Sequence, residues 1–93
     1  RMPASYYLRM DPFTLHNIDI KPGMMVYMFS DGFADQFGGP DGTKFKYKPF
    51  KQLLQEHYKL KADVQKSILE QSFLTWRGEH KQVDDVMVIG LRF

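Results

Sequence analysis

The sequence predicts an α+β fold in which two helices pack on one face of a sheet of antiparallel strands. Three observations support this class: a short apolar run at residues 24–30, a second at 86–93, and two segments of helical periodicity between them. An alternating segment precedes the first run, so the predicted order is strand, strand, helix, helix, strand. Strands followed by helices, instead of alternating with them, favour a largely antiparallel sheet covered on one side.

The strands are predicted from apolar patterning. Residues 13–20, FTLHNIDI, alternate apolar and polar side chains, with a slip of one residue near His16 and Asn17 that indicates a bulge. Residues 24–30 lie between turn signals, which favours a buried strand over a helix. Residues 86–93 carry apolar side chains on both faces. Because two helices cover only one face, we expect further cover from an N-terminal half, a second sheet or a dimer partner.

Both helices are predicted from residues at helical spacing. The first has an apolar face formed by Phe50, Leu53, Leu54 and Tyr58. Pro49 suits the first turn of that helix. The second helix is expected over about residues 62–77, because it carries an apolar stripe, and Gly78 is its predicted end. Residues 38–44, GGPDGTK, have the composition of a loop.

Composition narrows the classes of function. The chain has 93 residues, no cysteine and a formal net charge of +2. The lack of cysteine excludes disulfides, thiolate chemistry and cysteine-based zinc sites. No segment reaches the roughly 20 apolar residues of a membrane span, and the small charge does not favour nucleic-acid binding. We expect one cytoplasmic domain without direct membrane or nucleic-acid contact. Because the chain starts at Arg1, we expect it to belong to a longer parent protein, which can itself be membrane-anchored.

Carboxylates stand at the ends of the two apolar strands. Asp31 directly follows the first, and Asp84 and Asp85 directly precede the second. In antiparallel neighbours, Asp31 and Asp84 would meet at one sheet edge, where like charges need a cation between them. Mg²⁺ and Mn²⁺ prefer carboxylate oxygens, and Gly32 would let the backbone turn sharply and approach closely. Spacing alone leaves a second interpretation open, in which Asp-Gly is an ordinary turn and Asp-Asp an ordinary strand cap.

Two motifs at these positions carry a family resemblance. They are MMVYMFSDGFADQ and, further along the chain, QVDDVMVIGLRF, with KPG before the first and ADQFGGPDGTKFKYKPF between them. In this order, with two helices between, they resemble the C-terminal half of a SpoIIE-type serine phosphatase domain. That family belongs to the metal-dependent protein phosphatase superfamily, which is related to the type 2C phosphatases. The resemblance covers nearly the whole chain, so residues 1–93 are interpreted as the C-terminal portion of one such domain.

The resemblance implies a metal-dependent protein serine/threonine phosphatase whose whole domain is an α/β/β/α sandwich, with this chain supplying about half. Matched to the family motifs, Asp31 and Asp84 are metal ligands, Asp85 is a supporting residue and Gly32 is conformational. The family's other Asp-Gly motif has no counterpart here. The chain alone is therefore expected to hold at most part of a two-metal Mn²⁺ or Mg²⁺ site, to supply no catalytic residue and no other cofactor-binding residue, and to be inactive.

The resemblance also implies partners. The substrates would be phosphoserines on bacterial regulatory proteins. The segment ADQFGGPDGTKFKYKPF, residues 34–50, which contains the loop at 38–44, resembles versions fused to bacterial sensor proteins of signalling systems such as two-component sensors. That loop is interpreted either as a substrate contact or as a plain surface loop. The alternative function is a non-catalytic signalling or dimerisation module derived from the same fold, forming a homodimer through the uncovered sheet surface.

Overall fold

The fold is that of a computed structural model, which describes residues 4–10 and 17–93. In chain order the elements are β1 (Ser5–Arg9), β2 (Met25–Phe29), β3 (Phe37–Gly38), β4 (Thr43–Lys44), α1 (Tyr47–His57), α2 (Ala62–Arg77) and β5 (Val88–Arg92). The predicted α+β class is confirmed. No helix within the described ranges is both long enough and apolar enough to cross a bilayer.

Strands β1, β2 and β5 form one sheet with β2 in the centre. β5 runs antiparallel to β2, with Val88 opposite Phe29, as the sequence predicts. β1 runs parallel to β2, with Ser5 opposite Met25, so the sheet is mixed and its pairing is not antiparallel throughout. β3 and β4 form a separate two-stranded hairpin.

Among the described residues the first strand of the sheet is β1, and the described part of the alternating segment predicted at residues 13–20 is not a strand. Residues 17–20 are not in a strand, and residues 13–16, including the predicted bulge at His16, lie outside the described residues. The alternation slips at its centre, so few apolar residues share one face, and a strand without a consistent face has no fixed register.

Side chains of β2 that point to one face build the core together with both helices. Met25, Tyr27 and Phe29 belong to this cluster. The ring of Phe29 packs edge-on against Phe50 of α1, with 5.1 Å between the ring centroids. Phe33, just after β2, packs in the same way against Phe73 of α2 at 5.2 Å. Burial of these aromatic side chains is the main stabilising contribution available to a domain of this size.

The helices follow the sequence closely. α1 begins at Tyr47, so Pro49 lies in its first turn, where its missing N–H costs no hydrogen bond. α2 has the predicted bounds. Gly78 ends α2 with a φ of 53°, and its N–H donates to the carbonyl oxygen of Leu74 at 2.9 Å. This left-handed conformation favours glycine and explains why α2 stops there.

The opposite face of the sheet is apolar and partly exposed, although Val26 at its centre is buried. This uncovered face comprises Tyr6, Leu8, Val26, Met28, Ile89 and Leu91, which share one side of the pleat. Tyr6 and Ile89 each expose 38% of their surface, and Leu91 exposes 43%. Apolar residues on one contiguous surface usually mark a contact with further protein. The expected cover from further protein stays a prediction, and the exposed part of this face is where it would lie.

Candidate functional site

The chain leaving β2 and the chain entering β5 run side by side. Beyond the last paired residues of these strands, the N–H of Ser30 donates to the carbonyl oxygen of Met87 at 3.0 Å. This contact continues the antiparallel pairing, so Asp31 lies at the same end of the sheet as Asp84 and Asp85. We call this end the site edge, meaning residues 30–32 and 84–87.

The hydroxyl of Ser30 joins the two segments of the site edge. Its Oγ donates to the carbonyl oxygen of Asp85 at 3.0 Å and accepts the N–H of Met87 at 2.9 Å. One short side chain thereby satisfies a backbone acceptor and a backbone donor that the end of the strand leaves without ladder partners. Ser30 therefore fixes the backbone of Asp85 relative to the end of β2.

Gly32 is buried directly against the backbone of Asp85. A β-carbon at Gly32 would overlap the carbonyl oxygen of Asp85, and would lie 2.8 Å from its carbonyl carbon and 3.1 Å from the Cα atom of Val86. No side chain fits at this position. The close approach expected at Gly32 is present, and the backbone that it approaches belongs to the segment with Asp84 and Asp85.

The carboxylate of Asp31 has two neighbours from other elements. The hydroxyl of Tyr47 donates to its Oδ1, and the Nε of Arg9 lies 3.7 Å from the same oxygen. The side chain of Arg9 is 58% exposed and that of Asp31 is 45% exposed, so water weakens this ion pair. Burial, followed by the hydrogen bond to Asp31, raises the pKa of Tyr47 to about 12. Tyr47 is therefore protonated at neutral pH and can donate.

Asp84 and Asp85 are both exposed. The Oδ1 of Asp84 accepts the N–H of Asp85 at 2.8 Å, and Gln82 donates its Nε2 to the carbonyl oxygen of Asp84 at 3.0 Å. These bonds hold the turn that enters β5. Asp85 contributes mainly its backbone carbonyl, which contacts both Ser30 and Gly32.

The carboxylates of the site edge do not form a complete metal site by themselves. Among residues 4–10 and 17–93, no group of three or more histidine, aspartate or glutamate side chains is arranged to hold a metal ion. The structure brings Asp31, Gly32, Asp84 and Asp85 to one edge, and it ties Gly32 to Asp85 directly. The expected roles of Asp31 and Asp84 as ligands remain predictions.

The segment predicted as a loop at residues 38–44 is part of the β3–β4 hairpin, and α2 anchors it. The indole Nε1 of Trp76 donates to the carbonyl oxygen of Gln36 at 2.8 Å, and the N–H of Gly39 donates to the carbonyl oxygen of Trp76 at 3.0 Å. The buried side chain of Gln36 also donates to the carbonyl oxygen of Lys81 at 2.8 Å. The hairpin is therefore fixed to α2.

Sequence reasoning missed three residues at this edge: Arg9, Ser30 and Tyr47. Ser30 stands in the Ser-Asp-Gly motif, so the motif itself could have shown it. No local pattern points to Arg9 or Tyr47. Arg9 reaches Asp31 because β1 is parallel to β2, and Tyr47 reaches it because the hairpin returns the chain to the end of β2.

Comparisons with known proteins agree with this geometry. The family model of Stage II sporulation protein E (SpoIIE) matches residues 7–93. The solved structure of the SiaA-PP2C domain of Pseudomonas aeruginosa is similar, with 32% sequence identity and a TM-score of 0.77. The match covers 82% of this chain and 31% of that one, so this chain spans about a third of the solved domain's length. No curated protein matches the sequence. The chain belongs to the SpoIIE family of phosphatase-type domains.

Proposed function

We propose that this chain forms one side of the active site of a Mg²⁺- or Mn²⁺-dependent protein serine/threonine phosphatase. The observation that carries the proposal is the contact of Gly32 and Ser30 with Asp85. It brings the end of β2 and the start of β5 together, and with them Asp31 and Asp84. An ordinary turn and an ordinary strand cap would not need this contact.

The residues of the site edge fit a hard divalent ion, but only as part of its ligand set. Carboxylate oxygens are the donors that Mg²⁺ and Mn²⁺ prefer. Asp31 and Asp84 would hold the metal, while Gly32 and Asp85 keep the two segments in place. Two carboxylates leave most positions of an octahedral ion open, so water and residues from outside this chain would supply the others. When bound, such ions activate a water molecule and stabilise negative charge on the transferred phosphoryl group.

The uncovered face supports the proposal that more of the domain packs here. Tyr6, Ile89 and Leu91 are exposed on it, and the solved relative is about three times as long as the matched segment. A second sheet on this face would complete an α/β/β/α sandwich and supply the remaining ligands. It follows that the 93 residues alone would have little or no activity.

The proposed substrates are phosphoserines on bacterial regulatory proteins, in a cytoplasmic domain controlled by a sensor. What supports this is membership of the SpoIIE family and the resemblance of the hairpin segment to sensor-fused versions. The hairpin is rigidly anchored by Trp76, so it would present a fixed surface to a protein substrate.

The test uses the full-length protein that contains this chain. Hydrolysis of p-nitrophenyl phosphate and of a phosphoserine peptide is measured with and without Mn²⁺, for wild type, Asp31→Asn and Asp84→Asn. We expect Mn²⁺-dependent activity that falls on the order of 100-fold in each variant, since removal of a metal ligand removes transition-state stabilisation. The matched control is Asp63→Asn on α2, because Asp63 is exposed and its Oδ1 accepts only the neighbouring N–H of Val64 among its described hydrogen bonds. Full activity in Asp31→Asn would contradict the proposal.

The alternative function is a non-catalytic signalling module that dimerises through the uncovered face. The observation in its favour is the exposure of Tyr6, Ile89 and Leu91 on one surface. Light scattering of the full-length protein distinguishes the two. A dimer that Leu91→Lys converts to monomer, in a protein without Mn²⁺-dependent hydrolysis, would favour the module over the enzyme.

A further inference from the structure

Among residues 4–10 and 17–93, the side-chain contacts to the carboxylate of Asp31 are made to one of its two oxygens. The hydroxyl of Tyr47 and the Nε of Arg9 both approach its Oδ1. A carboxylate that binds a metal through one oxygen commonly has its other oxygen hydrogen-bonded by the protein, because that bond fixes the direction of the ligand. The arrangement leaves Oδ2 as the oxygen to be presented at the site edge.

The hairpin places Tyr47 at Asp31. The N–H of Phe45 donates to the carbonyl oxygen of Gln36 at 3.0 Å, and the N–H of Lys46 donates to the carbonyl oxygen of Ala34 at 2.7 Å. These two bonds attach the chain after β4 to the turn that follows Asp31. The ring of Tyr47 then packs against Phe29, with 6.0 Å between the ring centroids. The backbone and the ring of Tyr47 are thus held by contacts that do not depend on the hydrogen bond from its hydroxyl to Asp31.

The residue before Tyr47 has an unfavourable backbone conformation. Lys46 has a φ of 79° and a ψ of 159°, and among the described residues it is the non-glycine residue with positive φ. This region is almost confined to glycine, and such conformations cost on the order of 1–3 kcal/mol. They persist where surrounding contacts impose them. Here the surrounding contacts are the bond to Ala34 and the start of α1, and their effect is to direct Tyr47 toward Asp31.

We propose that Tyr47 is a positioning residue for the metal ligand Asp31. Its hydroxyl holds Oδ1, so that Oδ2 is presented to a divalent cation at the site edge. This inference rests on the proposed function, because it assumes that Asp31 binds the metal. Arg9 contributes less, since its contact is longer and mostly exposed to water. Loss of a partner of this kind typically lowers metal affinity 10–100-fold.

The test measures Mn²⁺ affinity directly in the full-length protein, from the electron paramagnetic resonance signal of free Mn²⁺ during a titration. Tyr47→Phe keeps the ring and removes the hydroxyl, and we expect a dissociation constant at least about 10-fold higher. The matched control is Tyr7→Phe, which removes a hydroxyl that donates to Gln55 Oε1 at 2.7 Å, away from Asp31. We expect its affinity for Mn²⁺ to be that of wild type.

A second measurement separates positioning from a folding defect. If Tyr47 orients a ligand, the phosphatase activity of Tyr47→Phe should approach that of wild type at saturating Mn²⁺, which a loss of folded protein would not permit. Unchanged or tighter Mn²⁺ binding by Tyr47→Phe, with weaker binding by Asp31→Asn, would overturn the positioning role and leave the metal site standing. Unchanged binding by Asp31→Asn would overturn both the metal site and this inference.

Discussion

The backbone of Gly32 lies against the carbonyl group of Asp85, with no space between them for a β-carbon. We expect Gly32→Ala to lower the free energy of unfolding by about 1–3 kcal/mol, because the added methyl must displace backbone atoms. Urea unfolding of the full-length protein measures this. The matched control is Gly90→Ala on β5, where a β-carbon would meet the Cε of Met25 at 3.0 Å and the Cε1 of Tyr27 at 3.2 Å. The methyl end of Met25 can shift, and the ring of Tyr27 has to move by only a few tenths of an ångström, so Gly90→Ala should stay within about 1 kcal/mol of wild type. Equal effects in both variants would contradict this account.

Ser30→Ala should lower the free energy of unfolding moderately, because it removes the hydroxyl that joins the two segments of the site edge. Its hydroxyl bonds to the backbone of Asp85 and of Met87, and both groups would lose that partner. We expect a loss of about 1 kcal/mol in unfolding free energy, since partial exposure lets water replace the hydroxyl. Ser30→Thr keeps the hydroxyl and should retain stability and Mn²⁺ affinity. If Ser30→Thr were as damaging as Ser30→Ala, the hydroxyl would not be the group responsible.

Tyr27 should make stability depend on alkaline pH. It is 1% exposed, and its hydroxyl donates to Gln65 Oε1 at 2.5 Å. Burial, and to a smaller extent the neighbouring Tyr7, raises the pKa of Tyr27 from 10.0 to about 12. Above pH 10 the unfolded chain loses this proton first. The stability contributed by Tyr27 is therefore complete below pH 10 and is lost as pH rises toward 12, by on the order of 2 kcal/mol.

Urea unfolding below pH 10 and at about pH 11 tests this effect. We expect Tyr27→Phe to be less stable than wild type at neutral pH, because Gln65 loses its partner, and to lose less stability on going to alkaline pH. Tyr6→Phe on the uncovered face is the control for removal of a hydroxyl. An alkaline slope in Tyr27→Phe equal to that of wild type would show that the buried hydroxyl does not cause it.

Trp76→Phe should release the β3–β4 hairpin from α2. The substitution removes the indole N–H that donates to the carbonyl oxygen of Gln36. We expect the free energy of local opening of the hairpin to fall by about 1 kcal/mol. Amide hydrogen exchange in residues 36–44 would then be roughly fivefold faster, if exchange there occurs through local opening. Mass spectrometry measures the exchange. Leu74→Ala is the control, because Leu74 lies on the same helix and is 48% exposed. Unchanged protection of the hairpin in Trp76→Phe would contradict the anchoring role.

The parts of the fold that were predictable have strong local patterns. α2 was predicted with its bounds because its apolar stripe is continuous and Gly78 provides the left-handed end. β2 and β5 were predicted because each is a short apolar run between polar residues. Because the order of elements favours antiparallel pairing of these strands, Asp31 and Asp84 were expected at one edge, and the location of the candidate site was accessible from sequence.

The parts that were not predictable depend on contacts between distant segments. β1 is a five-residue strand with Tyr7 on the face that packs against the core and Tyr6 and Leu8 on the opposite face, so its pattern lacks the alternation of a half-buried strand. Its parallel direction is set by pairing with β2, which no local residue encodes. Tyr47 is 16 residues from Asp31, and Lys46 adopts a conformation that its residue type disfavours. Such a conformation is imposed by tertiary structure and leaves no sequence signature.

The joining of Ser30 to Asp85 spans 55 positions of the chain and encloses the hairpin and both helices. Contacts of such long range form late in folding, because the intervening chain must first lose its freedom. During synthesis the strand that ends at Asp31 is therefore completed well before its partner segment exists. A nascent chain that carries β2, the hairpin and both helices, but not yet β5, still lacks the assembled site edge. If Asp31 and Asp84 bind a metal as proposed, this edge can capture the ion only after β5 has been synthesised, and the order of translation would delay the assembly of the proposed site.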